Sequence, residues 1–343
     1  MRYHTGKVLL YAGIMLLCLV PDGLISICSS ENIGEEISYP SISMIYEYDC
    51  QLWIYESYFE KSKAITVGTG ASLSPCRKKI AYSYNHMLHP HDPLKAKLIG
   101  IHVIDLNTWS ERKLECKRYS IPQSMPPWET MWSPDGRYIL VDSGTGPVRE
   151  KTVFDSFSGK EIISFDADSN CAWLKCQEII YTNPIESKDR RRPGEHDYCI
   201  AIIDLDGCKR ILKEGISGMN YRFVELMEND EIIFEQWSNR GNTDNKAHYY
   251  TMDRKGKNLK RIDETEMLSG RIKKTLLDSH IAKEAIRIKE ASFVNKGSDW
   301  VIFVMNKESI SSDADEIYIM NLTKPATLKK IASGRNPLIL GKD

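Results

Sequence analysis

Six similar strand endings recur along this chain, and their regular spacing limits the fold more than any other feature of the sequence. Each ending is an aromatic or β-branched run that closes on a polar residue; the closing residues are Glu56, Asp105, Asp155, Asp204, Asp253 and Asn321. Their spacings are 49, 50, 49, 49 and 68 residues. A repeat of about 40–50 residues is typical of a β-propeller. The repeat therefore predicts one all-β domain with six blades, and a seventh, unrecognised blade is the alternative.

A second element recurs between these endings and predicts the first hairpin of each blade. It is clearest in residues 131–140, where two apolar runs flank Ser133-Pro134-Asp135-Gly136. Proline presets φ and glycine accepts the strained position, so this tetrapeptide favours a tight turn. A near copy lies at residues 73–83, and weaker copies lie at 173–180, 226–234 and 293–301.

Together these motifs resemble the TolB-like, WD40-like (PD40-type) propeller repeat family, whose mark is a Ser-Pro-Asp-Gly hairpin followed by a strand pair that ends in Asp. The resemblance covers residues 40–341 and concerns the propeller part only. TolB proteins carry a further α/β domain before the propeller, and we expect no room for one before Ile37. A role in the Tol envelope machinery is therefore not carried over.

The first repeat lacks an inner strand of its own. Residues 42–48, 51–57 and 63–67 supply its other three strands, and residues 336–341 follow the last repeat where a new inner strand should begin. Pairing of 336–341 inside the first blade would close the ring and leave no long sheet edge open. We predict this closure.

The last interval between repeats is longer because of residues 263–290. Apolar residues recur there at near-helical spacing: Ile272, Leu276, Leu277, Ile281 and Ile286. This pattern predicts an amphipathic helix inserted into the propeller.

Residues 1–30 have the pattern of an export signal. Arg2 and Lys7 form a basic start, residues 8–20 form an apolar run, and small residues follow at 28–30. We expect cleavage after Ser30, an exported protein in the periplasm or outside the cell, and a propeller domain over residues 37–343. An uncleaved anchor is one alternative. A lipoprotein acylated on Cys28 is another, although Ile27 stands where a lipobox has a small residue.

Seven cysteines lie beyond the signal, so at least one thiol stays unpaired. Cys171 and Cys176 are close enough in sequence to bridge, and we expect most of the seven to be small buried hydrophobes. The 46 basic and 47 acidic side chains nearly balance, which excludes a general polyanion binder such as a nucleic-acid-binding protein.

Loop lengths predict which face of the propeller binds a partner. With the strands of a blade lettered A to D from the inside out, the A–B and C–D turns are short. The B–C and D–A connections are long and polar, and they share the opposite face, which we call the long-loop face. Binding residues concentrate on long loops held by a rigid scaffold. Tolerated insertions are the alternative explanation.

One of these loops carries His86, His89, His91 and Asp92 within seven residues. Imidazole and carboxylate groups suit zinc or another divalent ion, so these four are candidate metal ligands. His196, Asp197 or His248 from neighbouring loops could complete the site, and His196 is also a candidate binding residue. A solvated polar loop is the alternative, and no other cofactor is expected.

Two other loops carry candidate binding residues. Arginine forks bind carboxylates and phosphates, so Arg190, Arg191 and Arg192 could hold an acidic glycan, a phosphate group or an acidic protein patch. Trp237 and Arg240 combine an aromatic ring with polar neighbours, as in a sugar or peptide platform. The alternatives are a solvated loop for the arginines and an inward-packed strand residue for Trp237.

Catalytic motifs are missing from the sequence: it has no Gly-x-Ser-x-Gly elbow and no phosphate-binding glycine loop. We therefore predict an exported, monomeric propeller that binds a protein or glycan partner on the long-loop face, and an enzyme is unsupported. One alternative is a metal-assisted polysaccharide lyase or hydrolase built around His86, His89 and His91. Another is an architectural ring that docks a partner through the 263–290 helix. Membrane contact is expected only through an uncleaved signal or a lipid anchor.

Overall fold

A computed structural model gives the structure of the chain. It describes residues 39–84, 100–114, 129–143, 149–168, 170–175, 177–186, 196–214, 219–227, 229–238, 248–279, 281, 286–295, 297–307 and 315–340. The predicted export signal at 1–30 and the candidate lipidation site Cys28 lie outside these residues.

Six four-stranded antiparallel sheets form the six blades of a β-propeller. Blade one contains β1 (Ser43–Tyr48), β2 (Gln51–Glu56) and β3 (Lys61–Val67). Blade two contains β4 (Thr69–Leu73), β5 (Lys79–Tyr84), β6 (Gly100–Asp105) and β7 (Glu111–Lys113). Blade three contains β8 (Glu129–Trp132), β9 (Tyr138–Ser143), β10 (Arg149–Asp155) and β11 (Glu161–Ala167).

The second half of the ring follows the same plan. Blade four contains β12 (Cys171–Lys175), β13 (Glu178–Glu186), β14 (His196–Asp204) and β15 (Lys209–Lys213). Blade five contains β16 (Met219–Leu226), β17 (Ile232–Ser238), β18 (His248–Met252) and β19 (Lys260–Ile262). Blade six contains β20 (Ile286–Phe293), β21 (Trp300–Lys307), β22 (Glu316–Asn321) and β23 (Lys324–Ser333).

The last strand, β24 (Arg335–Leu340), is the inner strand of blade one. It pairs antiparallel with β1, with Ile45 opposite Leu338 and Met44 opposite Ile339. The sheet order β24-β1-β2-β3 therefore closes the ring between the two ends of the propeller. The prediction of six blades closed by a C-terminal strand is confirmed.

In five of the six blades, the repeated polar residue at the end of the C strand organises the turn that follows; the Glu56 side chain of blade one forms no such bond among the described residues. The Asp105 carboxylate accepts the backbone N–H groups of Asn107 and Thr108 at 2.9 and 3.1 Å. Asp155 and Asp253 accept equivalent bonds. These backbone N–H groups stabilise the charged form, so they hold the pKa of all three carboxyls below the usual range. The repeated residues that predict the fold therefore act by forming the turns between the C and D strands.

The core consists of apolar layers between adjacent blades. Between blades one and two, for example, Ile45, Leu52, Ile80 and Tyr82 are fully buried. An outer strand also contacts the next blade: the guanidinium of Arg210, on β15 of blade four, donates to the carbonyl oxygen of Arg254 in blade five at 3.2 Å.

The inserted helix α1 covers Leu268–Asp278 and follows a short 3-10 helix, Glu264–Glu266, that is capped by Asp263. Ile272 and Leu276 on this helix are buried, which confirms the amphipathic insertion, whereas Leu277 is exposed and does not belong to the buried face. Ile286, however, belongs to β20, because its apolar side chain continues the inner strand of blade six. No helix within the described ranges is long and apolar enough to cross a membrane.

The described cysteines contradict the expectation that most are buried. Cys50, Cys76 and Cys208 are exposed in turns, Cys171 is partly buried and Cys199 is buried, and all five are free thiols. These three cysteines are exposed because they lie in turns, where even an apolar side chain stays in contact with solvent. The prediction rested on residue type alone and therefore missed this.

Candidate functional site

The predicted site residues fall mostly outside the part of the chain that the structure describes. This applies to His86, His89, His91, Asp92, Arg190, Arg191, Arg192 and Arg240. His196 is the first residue of β14, and only its backbone is described. Among the described residues, no group of three or more His, Cys, Asp and Glu side chains could hold a metal ion. Of the candidate binding residues, Trp237 is the one whose side chain is described.

Trp237 lies near the end of β17, at the edge of the long-loop face. Its ring is partly buried and lies beneath the guanidinium of Arg222, with 5.0 Å between the Arg222 Cζ atom and the ring centroid. The ring of Tyr198, from blade four, is 6.0 Å away. Trp237 is therefore packed against Arg222 and Tyr198, and its part in binding a partner stays a prediction.

Arg222 on β16 is the centre of a charged cluster that sequence reasoning missed. Its Nε atom donates to Asp168 Oδ2 at 3.1 Å, and its Nη1 atom lies 3.0 Å from Glu235 Oε1. Asp168 ends blade three, while Glu235 is the cross-strand partner of Arg222 within blade five. Two carboxylates and one aromatic face thus fix the guanidinium in a single orientation.

Burial raises the pKa of the Glu235 carboxyl above its usual range. The Arg222 guanidinium opposes that shift, and the nearby Asp168 carboxylate adds to it. Burial also raises the pKa of the neighbouring Tyr249 phenol. The Asp168 and Glu235 side chains are thus poorly solvated, so their contacts with Arg222 are less screened than in open water, although the Arg222 side chain itself is 42% exposed.

A cleft of about 600 Å³ opens beside this cluster, between the inner strands of blades five and six. Helix α1 and the 3-10 helix form its third wall. Polar side chains from all three walls share the lining with apolar ones; they include Arg222, Glu235, Tyr249, Lys273 and Arg287.

Two basic side chains of this cleft have no acidic partner within the described residues. Lys273 on α1 and Arg287 on β20 are both exposed, and neither forms an ion pair there. Lys289, by contrast, lies 2.6 Å from Asp315. Lys273 and Arg287 can therefore take an external carboxylate or hydroxyl group without breaking an internal contact.

The position of α1 depends on a close backbone contact. A Cβ atom at Gly270 would lie 2.1 Å from the carbonyl oxygen of Glu264, so only glycine allows the helix to pack this closely on the 3-10 turn. The close packing at Gly270 thus fixes the position of α1, which forms one wall of the cleft.

A smaller cleft of about 250 Å³ adjoins the first, because Asn170 and Val224 line both. Asp142 in this second cleft is buried and forms ion pairs with Lys151, which is completely buried, and with Arg149. The two clefts together form a groove from α1 towards blade three.

Several propellers of known structure are similar to this chain. One is the β-propeller domain of the Trilobed protease from Pyrococcus furiosus, with 17% identity over 85% of this chain and 81% of that chain and a TM-score of 0.47. TolB from Acinetobacter baumannii has 14% identity over 88% of this chain and 66% of that chain, with a TM-score of 0.49.

Acylaminoacyl peptidase from Pyrococcus horikoshii has 16% identity over 83% of this chain and a TM-score of 0.45, and the chain spans only 41% of that enzyme. No family model and no curated protein matches the sequence, so the PD40-type resemblance stays a prediction. At these identities and TM-scores the likeness carries no functional argument, and the propeller fold follows from the sheet order itself.

Proposed function

We propose that this protein is an exported, monomeric β-propeller that binds a protein or glycan partner at the cleft beneath α1. The observation that carries the proposal is the cleft itself, which lies on the long-loop face and has about 600 Å³ of space. Ligand sites are typically clefts of about 300–1,000 Å³ that combine apolar walls with a few polar groups.

The lining favours a polar chain over a compact apolar ligand. Lys273 and Arg287 offer N–H donors that no described carboxylate occupies. Arg222, held by Asp168 and Glu235, is a fixed wall whose orientation needs no change on binding. Pre-ordered polar walls reduce the entropy cost of binding.

The adjoining second cleft extends the groove towards blade three. An elongated ligand, such as a peptide segment or an oligosaccharide, fits two connected clefts better than a single small molecule does. No described contact favours the metal-assisted lyase, whose candidate ligands lie outside the described residues.

The test is a binding screen of the purified protein against a displayed peptide library and a glycan array. We expect a ligand whose affinity falls at least ten-fold in the variant Lys273→Glu/Arg287→Glu, because two donor groups become repulsive acceptors. The matched control is Arg271→Glu/Lys274→Glu, which makes the same charge change at exposed α1 residues outside the cleft lining. Equal loss of binding in both variants, or no ligand in either screen, would contradict the proposal.

The proposed export rests on the pattern of residues 1–30. Cell fractionation followed by N-terminal sequencing tests it: we expect protein outside the cytoplasm that begins at or near Glu31. A full-length chain in the cytoplasm would contradict export without affecting the cleft.

A further inference from the structure

The second cleft, which adjoins the cleft beneath α1, has a lining of a different character. Its volume is about 250 Å³, and residues of β8, β9, β12 and β16 line it. The charged residues in its described lining are Glu129 and Asp142, both acidic, and no lysine or arginine is among them. The two lie side by side, because Glu129 on β8 is the cross-strand partner of Asp142 on β9. The cleft therefore presents negative charge on its blade-three side.

One oxygen of the Asp142 carboxylate is left without a donor. The side chain is 8% exposed, and its Oδ2 atom forms ion pairs with Lys151 and, at 3.3 Å, with Arg149. Both cations come from β10, the strand on the outer side of β9, and neither lines the cleft. The Oδ1 atom is buried and accepts no hydrogen bond. A buried carboxylate oxygen without a donor is costly, and a bound ligand is one explanation for it in a native protein.

Glu129 supplies a second carboxylate. Its side chain is exposed and forms no hydrogen bond or ion pair with a described residue. Both carboxylates act on the thiol of Cys171 in the same lining. Burial raises the pKa of that thiol to about 11; the buried Lys151 opposes the shift, and Asp142 and Glu129 add to it. The thiol is therefore neutral at neutral pH and adds no charge of its own to the cleft.

Aliphatic side chains supply much of the remaining lining, namely Met131, Leu140 and Val224. Lysine and arginine side chains combine an aliphatic stem with a cationic head that only donates hydrogen bonds, so they need apolar surface and acceptors together. A divalent ion is a poorer occupant, because no group of three or more metal-ligating side chains occurs among the described residues. The walls and acceptors of the second cleft therefore fit a basic side chain.

We propose that the second cleft takes the lysine or arginine side chain of a peptide whose neighbouring residues occupy the cleft beneath α1. This rests on the proposed function and names its ligand class, a polypeptide segment with a basic residue. The cationic head donates to Asp142 Oδ1 and to Glu129, while Lys273 and Arg287 in the first cleft take a carboxylate or carbonyl group of the same peptide. An amino sugar carries its ammonium group directly on the ring, without an aliphatic stem. The second cleft therefore favours a protein partner over a glycan.

The first test measures binding of the full chain to heptapeptide pools that differ in one fixed central residue: lysine, arginine, norleucine or citrulline. Norleucine keeps an aliphatic stem without the charge, and citrulline replaces the guanidinium by a neutral urea group. We expect the lysine and arginine pools to bind about ten-fold tighter than their neutral counterparts, because they add hydrogen bonds between charged groups. In Glu129→Gln this preference should shrink about three-fold or more, because one charged acceptor becomes neutral. The matched control Asp166→Asn removes an exposed carboxylate of β11 outside the cleft lining and should keep the preference.

Equal binding of all the pools would overturn the proposal. If Lys273→Glu/Arg287→Glu then weakened every pool, the cleft beneath α1 would still be the binding site, so failure of the second cleft is distinguishable from failure of the proposed function. Binding by no pool would also overturn the proposal, whereas the proposed function would then depend on the glycan array.

A second measurement needs no ligand, because Cys171 lines the second cleft. Peptide mass mapping at alkaline pH compares its rate of labelling by the cationic reagent aminoethyl methanethiosulfonate with that by the anionic sulfonatoethyl methanethiosulfonate. We expect the cationic-to-anionic rate ratio at Cys171 to fall about five-fold in Glu129→Gln, because a carboxylate near the thiol is lost. The ratio at the exposed thiol of Cys208 should stay constant. An unchanged ratio at Cys171, or an equal change at both thiols, would mean that the cleft does not select cations and would overturn the proposal.

Discussion

Glu47 holds the closed ring together, and its replacement gives the most direct test of the closure. Its side chain is 4% exposed and comes from β1. The carboxylate accepts the backbone N–H of Ala71 at 2.8 Å and the side-chain N–H of Asn336 at 2.9 Å. Asn336 also donates to the Ala71 carbonyl at 2.8 Å. One buried carboxylate thus connects the closing strand β24 with blades one and two.

We expect Glu47→Ala to lower the free energy of unfolding by about 3–5 kcal/mol. Each hydrogen bond to a buried charged group contributes about 1.5–3 kcal/mol, and the donors left behind would be unsatisfied. The ion pair with Arg335 adds little, about 0–1 kcal/mol, because the arginine side chain is half exposed.

Urea unfolding followed by tryptophan fluorescence measures this loss. With an m-value of about 3 kcal/mol/M, the midpoint should fall by about 1–2 M. The control Glu129→Ala changes an exposed glutamate without a hydrogen-bond partner among the described residues, and should cost less than about 0.5 kcal/mol.

A double-mutant cycle separates the contact from general damage. Asn336 has a φ of 53°, which glycine adopts readily, so Asn336→Gly removes the side chain without backbone strain. The two changes should couple by about 1–2 kcal/mol. A cost below about 1 kcal/mol for Glu47→Ala, or additive losses in the cycle, would refute the reasoning.

Three further predictions concern other parts of the molecule. A hydrogen bond from His102, at 2.6 Å, holds the pKa of the Glu111 carboxyl below its usual range. The ionised Glu111 carboxylate therefore stabilises the fold above the ordinary glutamate pKa, and this stabilisation is lost as the pH falls. Glu111→Gln should reduce the dependence of the urea midpoint on pH between about pH 3 and 6. Gly270→Ala should cost about 2 kcal/mol or more in thermal unfolding and weaken ligand binding, because the new Cβ meets Glu264; unchanged stability would contradict this packing. Elemental analysis should find the protein metal-free, whereas stoichiometric metal that disappears in His89→Ala would favour the lyase alternative.

The blade architecture could be predicted from sequence because its determinants are local. Asp105 and Asp155 bond to backbone groups two and three residues away. The Ser133 hydroxyl accepts the N–H of Tyr138 at 2.9 Å across its turn, and Gly136 has the positive φ of 71° that the turn needs. Contacts of such short range recur in five of the six blades, so the pattern also indicates the number of blades.

The charged cluster could not be predicted in the same way, because its members are far apart in sequence. Arg222 and Asp168 are 54 residues apart and lie in different blades. Trp237 packs against Arg222, which no local motif connects to it, and its part in binding stays a prediction. Apart from His196, which begins β14, the remaining candidate residues lie outside the described residues, in parts of the sequence where neither repeat nor periodicity constrains the neighbours of a side chain.

The sequences of the inner strands nevertheless contain a pattern that indicates the position of the cleft. In β4, β8, β12 and β24, charged residues are absent or stand only at a strand end. Charges occur in the strand interior only in β16 and β20, as Arg222, Glu225, Arg287, Lys289 and Glu290. A charge within an inner strand cannot be a turn former, and it needs either a buried partner or a water-filled space. The two strands that break the repeat are the two that face the cleft beneath α1. The repeated residues of this chain therefore identify the scaffold, and the departures from the repeat mark the strands that line the proposed binding cleft.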